Sequence, residues 1–407
     1  MIGVAVLGST GSIGASTLDV LARHPERFRV TGLAAHSNIE RLLSQCRRHR
    51  PDQVSVAVPD AALQLERLLR QAGLPTRVLA GAASADAVAT AAGADYVMAA
   101  ISGAAGLSST LAAARAGRRL LLANKESVVM AGPLLLAALR AGGGDLIPID
   151  SEHNAIFQCL PAGWQAGTRP AGVRRLLLTA SGGPFLDWPA GTLERVTPEQ
   201  ACAHPRWRMG RKISVDSATL LNKGLELIEA SVLFGMSADD IEVVVHPQSI
   251  VHSLVQYEDG SLLAQLGTPD MRTPIAQALA WPERIGAGVE FLDLARAGTL
   301  EFRPPDPVRF PCLGLALAAA RAGAAAAVRL NAADEVAVQA FLDKRLNFGD
   351  IPRVIGTVMD KLVGGMMTGL EAVWAHDAEA RALAAEAVVR CGAAQGMGQG
   401  AIRGVSA

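Results

Sequence analysis

The chain lacks any excess of charge: Lys and Arg together number 38, Asp and Glu together 38. No global field therefore favours nucleic acid or an anionic membrane, and any anion site must be assembled locally from a few residues. It lacks paired cysteines as well. The five it has (Cys46, Cys159, Cys202, Cys312, Cys391) are scattered and odd in number, with no Cys-x-x-Cys to hold zinc or form a redox centre, which fits a reducing cytoplasm. The apolar start at residues 1–7 has no basic leader and falls far short of the ~20 residues that a membrane helix needs. The mature chain is therefore expected to begin here. No internal repeat of solenoid type is present either.

What is present is a chain of 407 residues, half of them hydrophobic, enough to bury a large core and to divide into two or three domains. Up to about residue 150, short apolar runs at 4–7, 28–35, 53–58, 96–100, 118–123 and 145–150 alternate with helical patterns, which predicts a parallel, Rossmann-like α/β sheet wrapped by helices. The first run leads into Gly8-Ser9-Thr10-Gly11-Ser12-Ile13-Gly14 and then a helix. Its G-x-x-G-x-x-G spacing suits either a dinucleotide loop or a tight strand-to-helix turn. Past residue 150 the pattern becomes α+β: a strand over 173–181, then two strands within 248–266 joined at Glu258-Asp259-Gly260-Ser261, a hairpin signal that predicts an antiparallel unit. Residues 203–212, aperiodic and basic, read as a mobile lid, and the proline-rich stretch 281–311 as a linker. From 312 to about 393 the chain is Ala-rich and helical by pattern, with Asn331 and Asp334 as expected caps, and 394–407 reads as a flexible tail.

The chemistry concentrates in acids. Asp150 and Glu152 stand two apart, a spacing that puts both side chains on one face of an extended segment. Glu226 falls in an amphipathic pattern (Leu221, Leu225, Ile228) that reads as helix. Three carboxylates from two elements suit a hard divalent cation, and they equally suit a solvated surface. Ser181-Gly182-Gly183, Ser217, Asn222 and Lys223 add hydroxyl, amide and ammonium donors of the kind a phosphate needs. Trp207 and Met209 in the aperiodic lid read as a closing surface, with ordinary packing as the alternative. His153, His246 and His252 are left outside the metal set, since a histidine more often serves structure than as a ligand, and their roles stay open.

Several long runs resemble the 1-deoxy-D-xylulose 5-phosphate reductoisomerase family. They are the glycine loop, Ala123-Asn124-Lys125-Glu126-Ser127, Asp150-Ser151-Glu152-His153-Asn154, Met209-Gly210-Arg211-Lys212-Ile213-Ser214-Val215-Asp216-Ser217, Asn222-Lys223-Gly224-Leu225-Glu226, His246-Pro247-Gln248-Ser249 and Pro269-Asp270-Met271-Arg272-Thr273-Pro274. The similarity runs nearly end to end and fades in the helical third and the tail. It implies an NADPH-dependent, divalent-metal enzyme (Mg²⁺, Mn²⁺ or Co²⁺) that rearranges and reduces 1-deoxy-D-xylulose 5-phosphate to 2-C-methyl-D-erythritol 4-phosphate, an isoprenoid precursor. It also implies a homodimer whose subunits carry an NADPH domain (1–150), a catalytic domain with its lid (151–280), the linker and a C-terminal helical bundle. By the same resemblance Asp150, Glu152 and Glu226 are metal ligands and, with His204, catalytic, and Lys125, Ser151, Glu152, Ser181, His204, Trp207, Ser217, Asn222 and Lys223 contact substrate. Lys125 is catalytic, with oxyanion stabilisation, proton transfer and positioning all open. Thr10, Gly11, Ser12, Ile13, His36, Ser37, Asn38, Asn124, Glu126, Met209 and Gly210 form the cofactor set.

Three departures qualify the match. His36-Ser37-Asn38 stands where relatives carry Gly-Lys-Asn, Leu186 where an arginine is common, and Asp334 in an Asn-Ala-Ala-Asn-Glu-like stretch. Two competing readings differ in class: a metal-dependent sugar-phosphate isomerase or lyase with a vestigial nucleotide domain, and a non-catalytic nucleotide sensor. An intact glycine loop speaks against the first and an intact residue set against the second.

Overall fold

A computed structural model describes residues 1–207, 209–361 and 364–402, with the side chains of Ala190 and 393–402 left aside. Seven strands, β1 (Ile2–Leu7), β2 (Phe28–Ala35), β3 (Gln53–Val56), β4 (Arg77–Ala80), β5 (Tyr96–Ala99), β6 (Arg119–Leu122) and β7 (Leu146–Pro148), form one sheet in the order β4-β3-β2-β1-β5-β6-β7. All its pairings are parallel, because every connection crosses over and carries a helix. β4 is short, with no fully buried residue, and left no apolar signal in the sequence. Strand order reverses beside β1, so the crevice that such sheets use for ligands opens at the C-terminal end of that strand. There the glycine loop turns so tightly that a Cβ at Gly14 would lie 2.5 Å from the Gly8 carbonyl oxygen.

The second sheet contains β8 (Val173–Ala180), β9 (Ile241–Val245), β10 (Val251–Tyr257) and β11 (Leu262–Leu266), in the order β11-β10-β8-β9. The β10–β11 hairpin turns at Gly260 (φ 89°), as the Asp-Gly pair predicts. The sheet is mixed, however, and not simply antiparallel. β9 escaped the sequence reading and runs parallel to β8, the two being joined by the lid segment and three α-helices, Pro198–Ala201, Arg211–Ala218 and Leu221–Leu233. Across the other edge of β9, Arg303 from the expected linker forms a bridge with Val245, and that linker also contains a helical turn, Leu294–Ala297.

The C-terminal helices Pro311–Ala322, Ala324–Leu342, Ile351–Lys361 and Leu370–Ile402 complete the chain. The last runs through the segment expected as a tail as far as Ile402, and 403–407 lie outside the described residues. Asn331 and Asp334 are not caps. Both sit inside Ala324–Leu342 with no solvent exposure, and Asp334 meets Lys212 at 2.6 Å. This bundle packs directly on the helix Leu221–Leu233: Leu221, Leu225 and Ile228 share a core with Cys312, Ala316, Leu330 and Phe341. The approach is so close that a Cβ on Gly224 would lie 2.3 Å from that of Ala316. Glycine at 224 therefore sets how deeply the helix bearing Glu226 is seated.

Candidate active site

β7 ends at Pro148, and the chain turns into the helix Ser151–Cys159 with Asp150 as its N-cap. Asp150 and Glu152 are thus not neighbours on an extended segment. The cap residue and the first helical turn bring them together, and the Asp150 carboxylate makes no capping bond, so it is free to face the cavity. The second element is equally local. The helix Arg211–Ala218 ends near Ser217, Leu220 takes a left-handed conformation (φ 59°, ψ 10°), and the helix Leu221–Leu233 begins. Arg211 and Lys212, expected in the lid, already belong to the first of these helices. Arg208 lies outside the described residues. Asn222 and Lys223 then stand four and three residues before Glu226, the two helical spacings that bring each side chain onto that carboxylate.

Ligand atoms of Asp150, Glu152 and Glu226 converge within 4.8 Å of one another. Two ammonium groups interleave with them. Lys125 Nζ lies 2.8 Å from Asp150 Oδ2, 3.2 Å from Glu226 Oε1 and 2.6 Å from Asn222 Oδ1. Lys223 Nζ lies 2.7 Å from Glu152 Oε1 and also donates to Glu226 Oε2. Asn222 Nδ2 donates to Glu226 Oε1 at 2.5 Å, and Ser151 Oγ to Glu152 Oε2 at 2.5 Å. Burial works against charge on Lys125, Lys223, Asp150 and Glu226, yet Asp150 and Glu226 hold the Lys125 pKa well above the lysine range. Burial, with Glu152 as a neighbour, raises that of Glu226. For Asp150, burial is outweighed by Lys125 and His153, and its carboxyl is held below the usual range. With three carboxylates against two ammoniums the cluster is one negative charge in excess, and its convergent hard oxygens suit a divalent cation.

His204 takes a defined tautomer. The backbone N–H groups of Trp207 (2.9 Å) and Arg206 (3.2 Å) donate to its Nδ1, so Nε2 carries the proton and donates to Ser181 Oγ at 2.8 Å. Burial pushes its pKa down to about 4, which keeps the ring neutral at physiological pH. Ser181 Oγ accepts a second bond from the Gly183 N–H at 3.2 Å. With both acceptor sites used, the Ser181 hydroxyl proton remains to be offered to something else.

One cavity of about 480 Å³ collects these groups. Ser12 and Ile13 line it from the glycine loop, Lys125, Asp150, Ser151 and Glu152 from its floor, Ser181, His204, Trp207, Met209 and Gly210 from the second sheet and lid segment, and Ser217, Asn222, Lys223 and Glu226 from the helix pair. The other expected cofactor residues stand outside it. Thr10 and Gly11 occupy the loop, and His36, Ser37 and Asn38 the turn after β2, where Asn38 caps the helix Ile39–His49 and His36 Nδ1 lies 3.3 Å from Ser37 Oγ. Asn124 and Glu126 are buried, with Asn124 Nδ2 donating to Glu126 and to the carbonyls of Ile101 and Gly103.

With this geometry in place, the comparisons are decisive. Sequence models of the family match in three blocks, 1-deoxy-D-xylulose 5-phosphate reductoisomerase over 4–132 and its C-terminal domains over 146–234 and 266–383. Over 385 residues the chain is 58% identical to the reductoisomerase of Methylococcus capsulatus, covering 94% of this chain and 98% of that protein. The chain belongs to the 1-deoxy-D-xylulose 5-phosphate reductoisomerase family. A second member, from Nitrosococcus oceani, is 56% identical over 391 residues, 96% of this chain and all of the other. Among solved members, a reductoisomerase crystallised with NADPH, fosmidomycin and magnesium superimposes with a TM-score of 0.91 at 46% identity, covering 95% of this chain and 98% of that one. The Zymomonas mobilis reductoisomerase in complex with NADPH gives 0.88 at 45%, with the same coverage.

Sequence reasoning missed several residues of this reductoisomerase cavity: Arg206, Ser249, His252, Asp270 and Met271 all line it. Ser249 has φ 53°, a turn strain with no local signature. His252 was left outside the metal set together with His153 and His246. The latter two are fully buried and hold backbone, His153 against the Glu226 carbonyl at 2.9 Å and His246 against that of Glu301 at 2.8 Å. His252 instead faces the cavity beside Trp207, with burial pushing its pKa down to about 4. Its place on β10 opposite the lid is a tertiary fact.

Proposed function

We propose that this chain converts 1-deoxy-D-xylulose 5-phosphate to 2-C-methyl-D-erythritol 4-phosphate with NADPH and one divalent cation in the cavity described above. One observation carries the reading: Ser12 and Ile13 of the glycine loop share a single cavity with Asp150, Glu152 and Glu226, so a dinucleotide's reactive end and a cation would meet there. The residues fit both groups. Gly11 caps the helix Ser12–Arg23 without a side-chain bond, and no acid occupies its first turn, which leaves N–H groups for a pyrophosphate. The three carboxylates supply convergent hard donors.

Asp150, Glu152 and Glu226 hold the cation. When bound, it supplies Lewis acidity, polarising a carbonyl and lowering the pKa of a neighbouring hydroxyl so that the carbon skeleton can rearrange before reduction. Lys125, poised between Asp150 and Asn222, offers positive charge to the developing oxyanion. Ser151 orients the substrate oxygens beside Glu152. At the far end the free Ser181 proton, Ser217, Asn222 and Lys223 bind the phosphate, with His204 fixing Ser181. Asn222 bridges Lys125 and Glu226 at the same time, so phosphate and reacting end are joined through one amide. Trp207 covers the substrate, and Met209 and Gly210 close over the nicotinamide side. Thr10, His36, Ser37 and Asn38 take the adenosine end, while Asn124 and Glu126, beyond β6 on the other side of β1 and next to Lys125, shape the wall on the nicotinamide side. The work divides between a dinucleotide domain (1–150), a catalytic domain (151–280) and a helical bundle that buttresses Glu226.

The enzyme is further proposed to be a cytoplasmic homodimer. The outer strand β11 leaves Leu262 and Leu263 about half exposed, an edge that a second subunit would protect, and the five cysteines are all free. Among the described residues no helix is long and apolar enough to cross a membrane. Incubating the protein with substrate, NADPH and Mg²⁺ or Mn²⁺ and identifying the product by mass spectrometry tests the activity. Failure to form 2-C-methyl-D-erythritol 4-phosphate overturns it.

A further inference from the structure

The turn after β2 carries no acid that would select NAD and no lysine that would hold a 2′-phosphate. Its polar side chains are partly engaged. Asn38 Oδ1 accepts from the Arg41 N–H at 3.1 Å as a helix cap, and Ser37 Oγ lies 3.3 Å from His36. The helix that follows reaches back across the groove. Arg41 Nη1 donates to the Thr10 carbonyl in the glycine loop at 2.8 Å, and Gln45, one turn on, exchanges two 2.8 Å bonds with Ser9. Gln45 and Ser9 are buried and clamp the loop by themselves. Arg41 is exposed, and among the described residues its guanidinium has no carboxylate partner.

In a parallel dinucleotide-binding sheet the adenosine ribose lies between the glycine loop and the end of the second strand, the gap that Arg41 spans. A guanidinium has five N–H donors, and one of Arg41's is used on Thr10. The rest form a planar, permanently charged fork that matches a phosphate far better than a hydroxyl.

We infer that Arg41 reads the 2′-phosphate of the dinucleotide and is the residue on which this chain's preference for NADPH over NADH rests. The inference depends on the NADPH reading above. Arg41 supplies the fixed charge that the His36-Ser37 pair lacks, and its bond to Thr10 orients the fork before the cofactor arrives.

Calorimetric titration of the whole protein with NADP⁺, NAD⁺ and 2′,5′-ADP tests it without turnover. Arg41→Met should weaken NADP⁺ and 2′,5′-ADP by about tenfold or more, the loss expected for a charge-assisted bond, and leave NAD⁺ unchanged. Arg41→Gln, which keeps a donor for Thr10 but no charge, should behave like Arg41→Met, and Arg41→Lys should recover part of the loss. Gln45→Met, which breaks the loop clamp, should weaken both dinucleotides alike. Parallel losses for NADP⁺ and NAD⁺ in Arg41→Gln, or no loss for either, would overturn the assignment and leave NADPH use standing. Wild-type protein with no preference for NADP⁺ would overturn both.

Discussion

Replacing Asp334 with asparagine should stabilise the protein, and by more as the pH rises. Asp334 and Asp216 are buried on either side of Lys212, at 2.6 and 2.9 Å from its ammonium, so two carboxylates compete for one cation. Burial, with Asp216 adding repulsion, pushes the Asp334 pKa up to about 8. A carboxyl whose folded pKa lies above its unfolded one binds its proton more tightly when folded. Its contribution is intact below about pH 4 and is lost progressively as pH rises towards 8. Each pH unit of such displacement corresponds to about 1.4 kcal/mol, and Lys212 and Asp216 share the effect, so the penalty above pH 8 is on the order of 3 kcal/mol. Asparagine keeps the shape and an acceptor for Lys212, leaving a neutral Lys212–Asp216 pair. At roughly 1 °C per kcal/mol for a chain of 407 residues, Asp334→Asn should melt about 3 to 4 °C above the wild type near pH 8.5 and close to it near pH 5. Differential scanning calorimetry at several pH values reads this directly. A gap that is independent of pH, or a variant less stable at pH 8.5, would refute the reasoning.

Asp150→Asn and Glu226→Gln each remove one charge from the cation cluster without changing its volume. Both should lower Mn²⁺ affinity and turnover by at least about 100-fold while leaving the melting temperature near that of the wild type, as metal titration and calorimetry would show. Lys223→Ala should raise the substrate KM at least about tenfold and depress kcat as well, because Lys223 also holds Glu152 and Glu226; an unchanged kcat/KM would place the phosphate elsewhere. Gly224→Ala drives a methyl to 2.3 Å from the Ala316 Cβ, so it should destabilise by ~1 to 3 kcal/mol through overpacking and displace Glu226. Ala316→Gly in the same chain should restore much of both stability and kcat, and a double variant no better than the single would argue against the contact.

The residues 1–180 show how periodicity translates into structure. β2 spans the residues its apolar run marks, because an uninterrupted buried strand needs nothing but that run. The hairpin at Gly260 was legible for a similar reason: its left-handed geometry selects glycine locally. β4 was not legible, since its burial is partial and comes from lying at the sheet edge. β9 carries a short β-branched run, Ile241–Val245, and what only the structure supplies is its parallel pairing with β8 in an otherwise antiparallel sheet. Asp334 shows the limit most plainly. A polar residue in an Ala-rich stretch reads as a cap, and only the packing of the helix Ala324–Leu342 against Lys212 turns it into a buried acid.

At the site, the sequence marked which carboxylates and polar donors to look for, because hard-cation and phosphate chemistry admit few side chains and these occur in long specific runs, and the structure brings them to one cavity. Their geometry was not. Asp150 and Glu152 meet Glu226 across a gap of some seventy residues only because one stands at a helix start after β7 and the other on a helix seated against the C-terminal bundle. Likewise Arg41 and His252 carry no motif of their own, and their position follows from which strands lie side by side. Local sequence dictates what each segment is chemically and how it folds nearby. Which segments face one another is decided by the packing of whole faces, a property of the summed core that no single stretch encodes.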